Sequence, residues 1–170
     1  DYRVGELGKG FQYIAEALDI ERFTMFTFSP IRGRTELLCD YVRDTVRDGK
    51  PFKGDPVIRQ KIAQLVTDCE VARLLGVRFV DAALSAGKTP TIEASEYKLY
   101  ATELSRRLAD ATMDIAGPGT QLALGTEDAP LKGRAESCYT YTVIDTIGGG
   151  SSEVQKNIIA KRKLDLPKNF

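Results

Sequence analysis

Apolar residues recur at three- and four-residue steps along most of the chain, most regularly from Asp55 to Gly87. Ile58, Ile62, Leu65, Cys69, Ala72, Phe79 and Ala83 fall on one face there, which is the pattern of a long amphipathic helix. Asp55 followed by Pro56 supplies an N-cap and a first-turn proline, and Gly87 ends the run ahead of Lys88-Thr89-Pro90. A second long helix is predicted from about Ile92 to Ala116. Tyr97, Ala101, Leu104, Leu108, Ala111 and Ile115 form its stripe, and Gly117-Pro118-Gly119 stops it. Upstream, Gly10 to Asp48 reads as helical: a short helix to about Leu18, then a longer one that Pro30 kinks or breaks. Thr120 to Leu131, with Gly125 and Pro130, reads as loop. Lys132 to Ile147 and Ser151 to Leu164 read as two shorter helices separated by Gly148-Gly149-Gly150.

No stretch alternates with period two, so almost no strand is expected. Long helices joined by short connections bury their stripes against each other, and the expected fold is therefore all-α, an up-down helical bundle. At 170 residues the chain has the length of one domain, and 42% apolar content suits a globular core.

Charge narrows the partners. Lys and Arg number 24 against 24 Asp and Glu, so no positive field draws in nucleic acid. No apolar run approaches the roughly 20 residues that span a bilayer, and Asp1-Tyr2-Arg3 does not open a signal peptide. A cytoplasmic protein is expected. Cys39, Cys69 and Cys138 sit among apolar neighbours, which fits reduced, buried thiols. The chain has no histidine, which excludes Ser-His-Asp and Cys-His nucleophiles and imidazole metal sites, and no metal is expected. Acid-base chemistry falls to carboxylates, Lys, Tyr or Cys.

The run Ile147-Gly-Gly-Gly-Ser-Ser-Glu-Val-Gln-Lys-Asn-Ile-Ile-Ala-Lys-Arg162 resembles the closing signature of acyl-CoA dehydrogenases, Gly-Thr/Ser-x-Glu/Gln-Ile-Gln-x-x-Ile-Ala-x-Arg. Val4 to Phe11 with Leu18-Asp-Ile-Glu-Arg22, and Lys61 to Leu75, resemble the same family in the same order. The resemblance covers nearly the whole chain and implies its C-terminal helical domain. The family's N-terminal helical and middle β-domains have no counterpart in these 170 residues, so a piece of a longer enzyme is expected.

The resemblance also implies chemistry. A family member uses FAD to oxidise an acyl-CoA to a trans-2-enoyl-CoA. A Glu removes the α-proton, the β-hydrogen leaves as hydride, and an electron-transfer flavoprotein takes the electrons. In most members that Glu directly precedes the Gly-Thr/Ser of the closing signature, where this chain has Gly149. A subset resembling the isovaleryl, long-chain and steroid enzymes carries it on the first long helix beside an Arg, and Glu21-Arg22 matches that pattern. Glu21 is thus the expected base and Arg22 the expected substrate-binding residue. Phe23, Met25, Phe26 and Phe28 offer an apolar wall, and desolvation makes a carboxylate a stronger base. The alternative is that Glu21 is an ordinary solvated helix residue.

For the cofactor, the resemblance points to Ser151 and Glu153 at a helix N-terminus, to Gly150 as bare backbone before it, and to Gly117. Gly117 lies in Asp114-Ile-Ala-Gly-Pro118, an echo of a Gln-x-x-Gly-Gly motif that reaches a neighbouring subunit's FAD. The family's Arg-x-x-Phe-Gly motif is degenerate at Val46-Arg-Asp-Gly49, so Arg43 and Arg47 read as surface charges at a helix C-terminus. Tyr139 and Tyr141 point in different directions, and core packing is expected of them. Relatives assemble as homo- or hetero-oligomers, typically a tetramer built as a dimer of dimers. Two other readings stay open: a non-catalytic subunit of a heteromeric enzyme, or a helical interaction scaffold.

Overall fold

The computed structural model describes residues 2–24, 28–87 and 90–167. Six α-helices carry the fold among them: α1 (Gly10–Thr24), α2 (Phe28–Asp44), α3 (Pro56–Ala86), α4 (Thr91–Ala116), α5 (Arg134–Asp145) and α6 (Ser152–Arg162). Among the described residues, strand is confined to one hairpin of two-residue strands, β1 (Val46–Arg47) with β2 (Lys50–Pro51). The fold is all-α, as the periodicity predicts.

Local chemistry sets the ends of α3. The Asp55 side chain accepts from the Val57 and Ile58 amides, Pro56 fills the first turn, and Gly87 closes the helix in the left-handed conformation. Three boundaries differ from expectation. α1 runs unbroken through Leu18 to Thr24, Pro30 sits in the first turn of α2 instead of kinking it, and α2 stops at Asp44 with strand where helix was expected to Asp48. Pro30 is the third residue of α2, in the first turn, where backbone N–H groups have no intrahelical partner to lose. The loop from Thr120 to Leu131 contains two short 3-10 turns at its edges, Pro118–Gln121 and Pro130–Gly133.

α3 and α4 are antiparallel, because their cross-helix pairs run in opposite order: Arg78 with Glu93 and Glu96, Asp68 with Tyr100 and Arg107, Lys61 with Asp114. α4 is the axis of the bundle and is packed by α1, α2, α3, α5 and α6. Its predicted stripe is buried, with Tyr97, Ala101, Leu104 and Leu108 in the core beside Leu65, Cys69 and Ala72 of α3. Burial extends beyond one face. Ser95, Lys98, Thr102, Ser105 and Thr112 are buried as well, which a solvent-facing amphipathic helix would not allow. The threonines are satisfied locally, Thr102 on the Lys98 carbonyl and Thr112 on that of Leu108.

α1 docks through aromatics. Phe23 stacks on Phe79 at 4.1 Å between ring centroids and tilts against Tyr97 at 5.0 Å. Gly76 of α3 makes room for this cluster, since a Cβ there would lie 3.2 Å from the Tyr97 ring. The three cysteines are free; Cys69 is buried but Cys39 and Cys138 are only half-buried, and burial pushes the Cys39 and Cys69 thiols up. Tyr139 and Tyr141 are exposed, not core residues, because Ala135, Thr142 and Asp145 make the buried face of α5.

Burial pushes the Tyr97 phenol up to about 12, against the opposing effect of a backbone hydrogen bond at Phe28. The folded state therefore holds this proton more firmly than the unfolded chain, whose tyrosine titrates near 10, and stability falls as pH rises through that window. Between pH about 9 and about 11 the wild type should lose about 1 kcal/mol more than Tyr97→Phe. Urea unfolding of both proteins at the two pH values checks this.

Candidate functional site

The Gly148–Gly150 segment joins α5 to α6 and folds back on both. The Gly148 amide donates to the Ile144 carbonyl at 2.8 Å, and the Ser152 amide to that of Thr146 at 3.1 Å. Gly149 and Gly150 have φ of 65° and 94°. The φ of Gly150 favours glycine there, and a Cβ would also displace the tip of Gln155, 2.7 Å away. Ser151 then caps α6, its hydroxyl accepting from the Val154 amide at 3.5 Å.

Three side chains from three helices converge on this loop. Arg22 Nε of α1 donates to the Gly149 carbonyl at 3.2 Å, and Lys98 Nζ of α4 to the Gly150 carbonyl at 2.8 Å. Gln155 Nε2 of α6 donates to both, at 3.0 and 3.1 Å. Each trans peptide holds its N–H opposite its carbonyl, so the Gly150 and Ser151 amides point away from these donors. The loop therefore carries two backbone N–H groups on the side opposite its clamped carbonyls.

The donors are braced in turn. Arg22 pairs with Asp19 one turn earlier, and Asp19 accepts from Thr91 at the head of α4. Lys98 is fully buried. Burial pushes its ammonium below the ordinary lysine range, opposed by the charge of Asp145; Arg22 adds to the lowering, and Glu103 and Glu153 oppose it. Asp145 is itself buried and accepts from Ser105 at 2.8 Å, and Ser105 accepts from Arg34 at 2.9 Å. Ser152 donates to Glu103 at 3.0 Å, fixing the first residue of α6 on α4.

Glu21 is half-buried on α1, next in sequence to the arginine that reaches the loop. Of the apolar wall expected around it, Phe23 turns into the Phe79–Tyr97 cluster, Phe28 packs against the core, and Met25 and Phe26 lie outside the described residues. Arg22 points into the bundle. Gly150 and Ser151 lie in the clamped loop. Glu153 is exposed in the first turn of α6, and its carboxyl is held below the usual range by a hydrogen bond from Ser151.

Gly117 is elsewhere. It closes the far end of α4, 19 residues beyond Lys98, about 28 Å away at the helical rise of about 1.5 Å per residue. Arg47 is exposed, as expected, but it belongs to the hairpin and serves the C-terminus of α4 rather than that of α2. It lies 4.8 Å over the Phe52 ring and donates to the Ala116 carbonyl at 2.6 Å, capping the C-terminus of α4 beside Gly117. Arg43 is exposed and pairs with Asp40 and Asp44, and Asp114 is exposed and pairs with Lys61.

Lys98 lies in no motif, and Asp19 and Gln155 lie inside the matched motifs without a role assigned to them. Lys98 carried a signal all the same: it falls between Ala94, Ala101 and Ser105 on the inner side of a buried helix, where a charge needs a reason. A groove between α2, α4 and α5 also went unforeseen. Its apolar part encloses about 260 Å³ over Leu108 and Thr112, and a more polar part of about 350 Å³ adjoins it at Arg34 and Cys138.

Comparison with known proteins agrees with this architecture. Residues 8–164 match the family described as acyl-CoA dehydrogenase, C-terminal domain. The acyl-CoA dehydrogenase FadE26 of Mycobacterium tuberculosis is 28% identical over 170 residues, covering 98% of this chain and 42% of that protein. The acyl-CoA dehydrogenase IpdE1 of the same organism is 30% identical, covering 99% and 41%. Among solved structures, the ChsE4–ChsE5 complex from Mycobacterium tuberculosis superposes with a TM-score of 0.84 at 28% identity, covering 99% of this chain and 43% of that one. The chain thus spans about two-fifths of the length of these relatives. By the match over residues 8–164, the chain belongs to the acyl-CoA dehydrogenase family, in the stretch that forms its C-terminal domain.

Proposed function

We propose that this chain is the C-terminal helical domain of an FAD-dependent acyl-CoA dehydrogenase, and that Glu21 is its catalytic base. One observation carries the reading: the Arg22–Gly149 hydrogen bond joins residues 127 apart, so the turn bearing Glu21 is fastened to the loop position where most relatives keep their Glu. A carboxylate on that turn is near enough in the fold to take over the missing group's task. Glu21 accepts the α-proton of the thioester, and the electron pair of that C–H bond forms the new double bond. Bound FAD would supply the acceptor for the β-hydrogen, which leaves as hydride.

The loop suits such a cofactor. The Gly150 and Ser151 N–H groups, on the side of the loop opposite the clamped Gly149 and Gly150 carbonyls, would serve as its donors. Gly150, Ser151 and Glu153 would touch the FAD of their own chain. Gly117, at the other end of α4, would serve the FAD of a neighbouring copy. Arg22 would act on the substrate through the loop it holds. Val66, Val77, Val80 and Leu84 leave an exposed apolar strip on α3, which supports assembly into a homo- or hetero-oligomer such as a dimer of dimers. Electron-transfer flavoprotein is the expected acceptor and the cytoplasm the expected compartment; among the described residues, no helix is long and apolar enough to cross a membrane.

In the complete flavoprotein, Glu21→Gln should slow flavin reduction by about 10²- to 10⁴-fold, with acyl-CoA binding retained. Stopped-flow bleaching of the flavin by a panel of straight-chain, branched and steroid acyl-CoAs measures it. Reduction at the wild-type rate would remove Glu21 from the mechanism.

A second reading, a non-catalytic subunit that completes a partner's site, draws support from the likeness to ChsE4–ChsE5, a complex of two chains. It predicts that the protein retains flavin only when co-expressed with a second homologue. A fully active, yellow homo-oligomer would dispose of it.

A further inference from the structure

The most unusual side chain in the bundle is Lys98. It has no exposed surface, yet sits mid-helix on α4 among Ala94, Ala101 and Thr102. Removing an ammonium from water costs several kcal/mol unless the protein answers it. A methionine would fill the same space without that cost. The tip of the side chain lies at one atom of the closing loop, the Gly150 carbonyl, at 2.8 Å.

The loop does not need Lys98 merely to satisfy its hydrogen bonds. Gln155 Nε2 already reaches the carbonyls of both Gly149 and Gly150. A neutral amide shared between two acceptors leaves the two peptide planes free to swing together, and both glycines have the backbone latitude to do so. A cation on each carbonyl removes that freedom, because charge-assisted hydrogen bonds are about twice as strong as neutral ones. Arg22 supplies one and Lys98 the other.

We propose that Lys98 is a positioning residue: its ammonium fixes the Gly150–Ser151 peptide plane so that the Ser151 amide is held toward the ligand face of the loop, as Arg22 holds the Gly150 amide through the Gly149 carbonyl. The ligand face is a flavin site on the reading given above, and to that extent the inference rests on it. The groups around the ammonium fit the role. Arg22 on α1 approaches from the loop side, Asp145 on α5 and Glu103 on α4 balance the charge, and Glu153 on α6 adds to them. Glu103 also holds Ser152, so the same carboxylate serves the head of α6.

The test uses the complete flavoprotein with Lys98→Met, Lys98→Ala and Lys98→Arg, and has two arms. In the first, amide hydrogen exchange of residues 146–155 should quicken by about tenfold in Lys98→Met and Lys98→Ala, with α3 unchanged. Adding propylammonium, the fragment deleted in Lys98→Ala, should restore slow exchange, and 1-propanol should not. In the second, FAD affinity measured by flavin fluorescence should fall by about tenfold in Lys98→Met and recover in Lys98→Arg or in the amine-rescued variant. Wild-type exchange in the loop, a uniform rise over the whole molecule, or equal rescue by the alcohol would overturn the proposal, as would a loosened loop with unaltered FAD affinity. A wild-type protein that binds no FAD would count against the flavin reading instead, and the exchange arm would still decide what Lys98 does to the loop.

Discussion

The site depends on two adjacent carbonyls being turned inward. Left to itself, a run of three glycines between helices samples many backbone states, and ordering each residue costs about 1–2 kcal/mol. Here Arg22, Lys98 and Gln155 meet that cost with four hydrogen bonds to Gly149 and Gly150. The donors come from α1, α4 and α6, so the loop is held in place only when the whole bundle is assembled. Local flexibility in the sequence and rigidity in the fold are compatible for this reason.

The rest of the architecture serves that convergence. Asp19 orients Arg22 and links it to Thr91, the first residue of α4. Phe23, one residue further along α1, anchors the same turn in the aromatic cluster with Phe79 and Tyr97. Glu21 therefore lies between two fixed neighbours. Its position follows from theirs and needs no contact of its own. At the opposite end of α4, Arg47 and Gly117 form a second, separate arrangement, with a guanidinium over Phe52 and against the last helical carbonyl.

Much of the fold can be read directly from residue order. Asp55-Pro56 and Gly87 bracket α3 because capping is a local interaction, and the stripe from Ile58 to Ala83 is inward-facing because burial follows the helical period. Pro30 misleads because its effect depends on where the helix begins: in a first turn it removes no hydrogen bond. The glycine run and Glu21-Arg22 stand out in sequence, but their contact across 127 residues is tertiary and no periodicity encodes it. Lys98 is hidden for a different reason. A lysine in a helical pattern normally marks the solvated face, and only the enclosure of α4 by five other helices reverses that meaning.

That enclosure has a consequence for how tolerant the molecule is to change. Ser105 meets Asp145, Glu103 meets Ser152, and Lys98 meets Gly150, so α4 carries polar groups with assigned partners on other elements. Sliding or rotating it by a single residue would strand those groups in hydrocarbon, at about 1–3 kcal/mol each. An apolar helix of equal length could settle into neighbouring alignments with little difference in energy. α4 has one alignment, and substitutions that merely preserve hydrophobicity along it will not preserve the molecule.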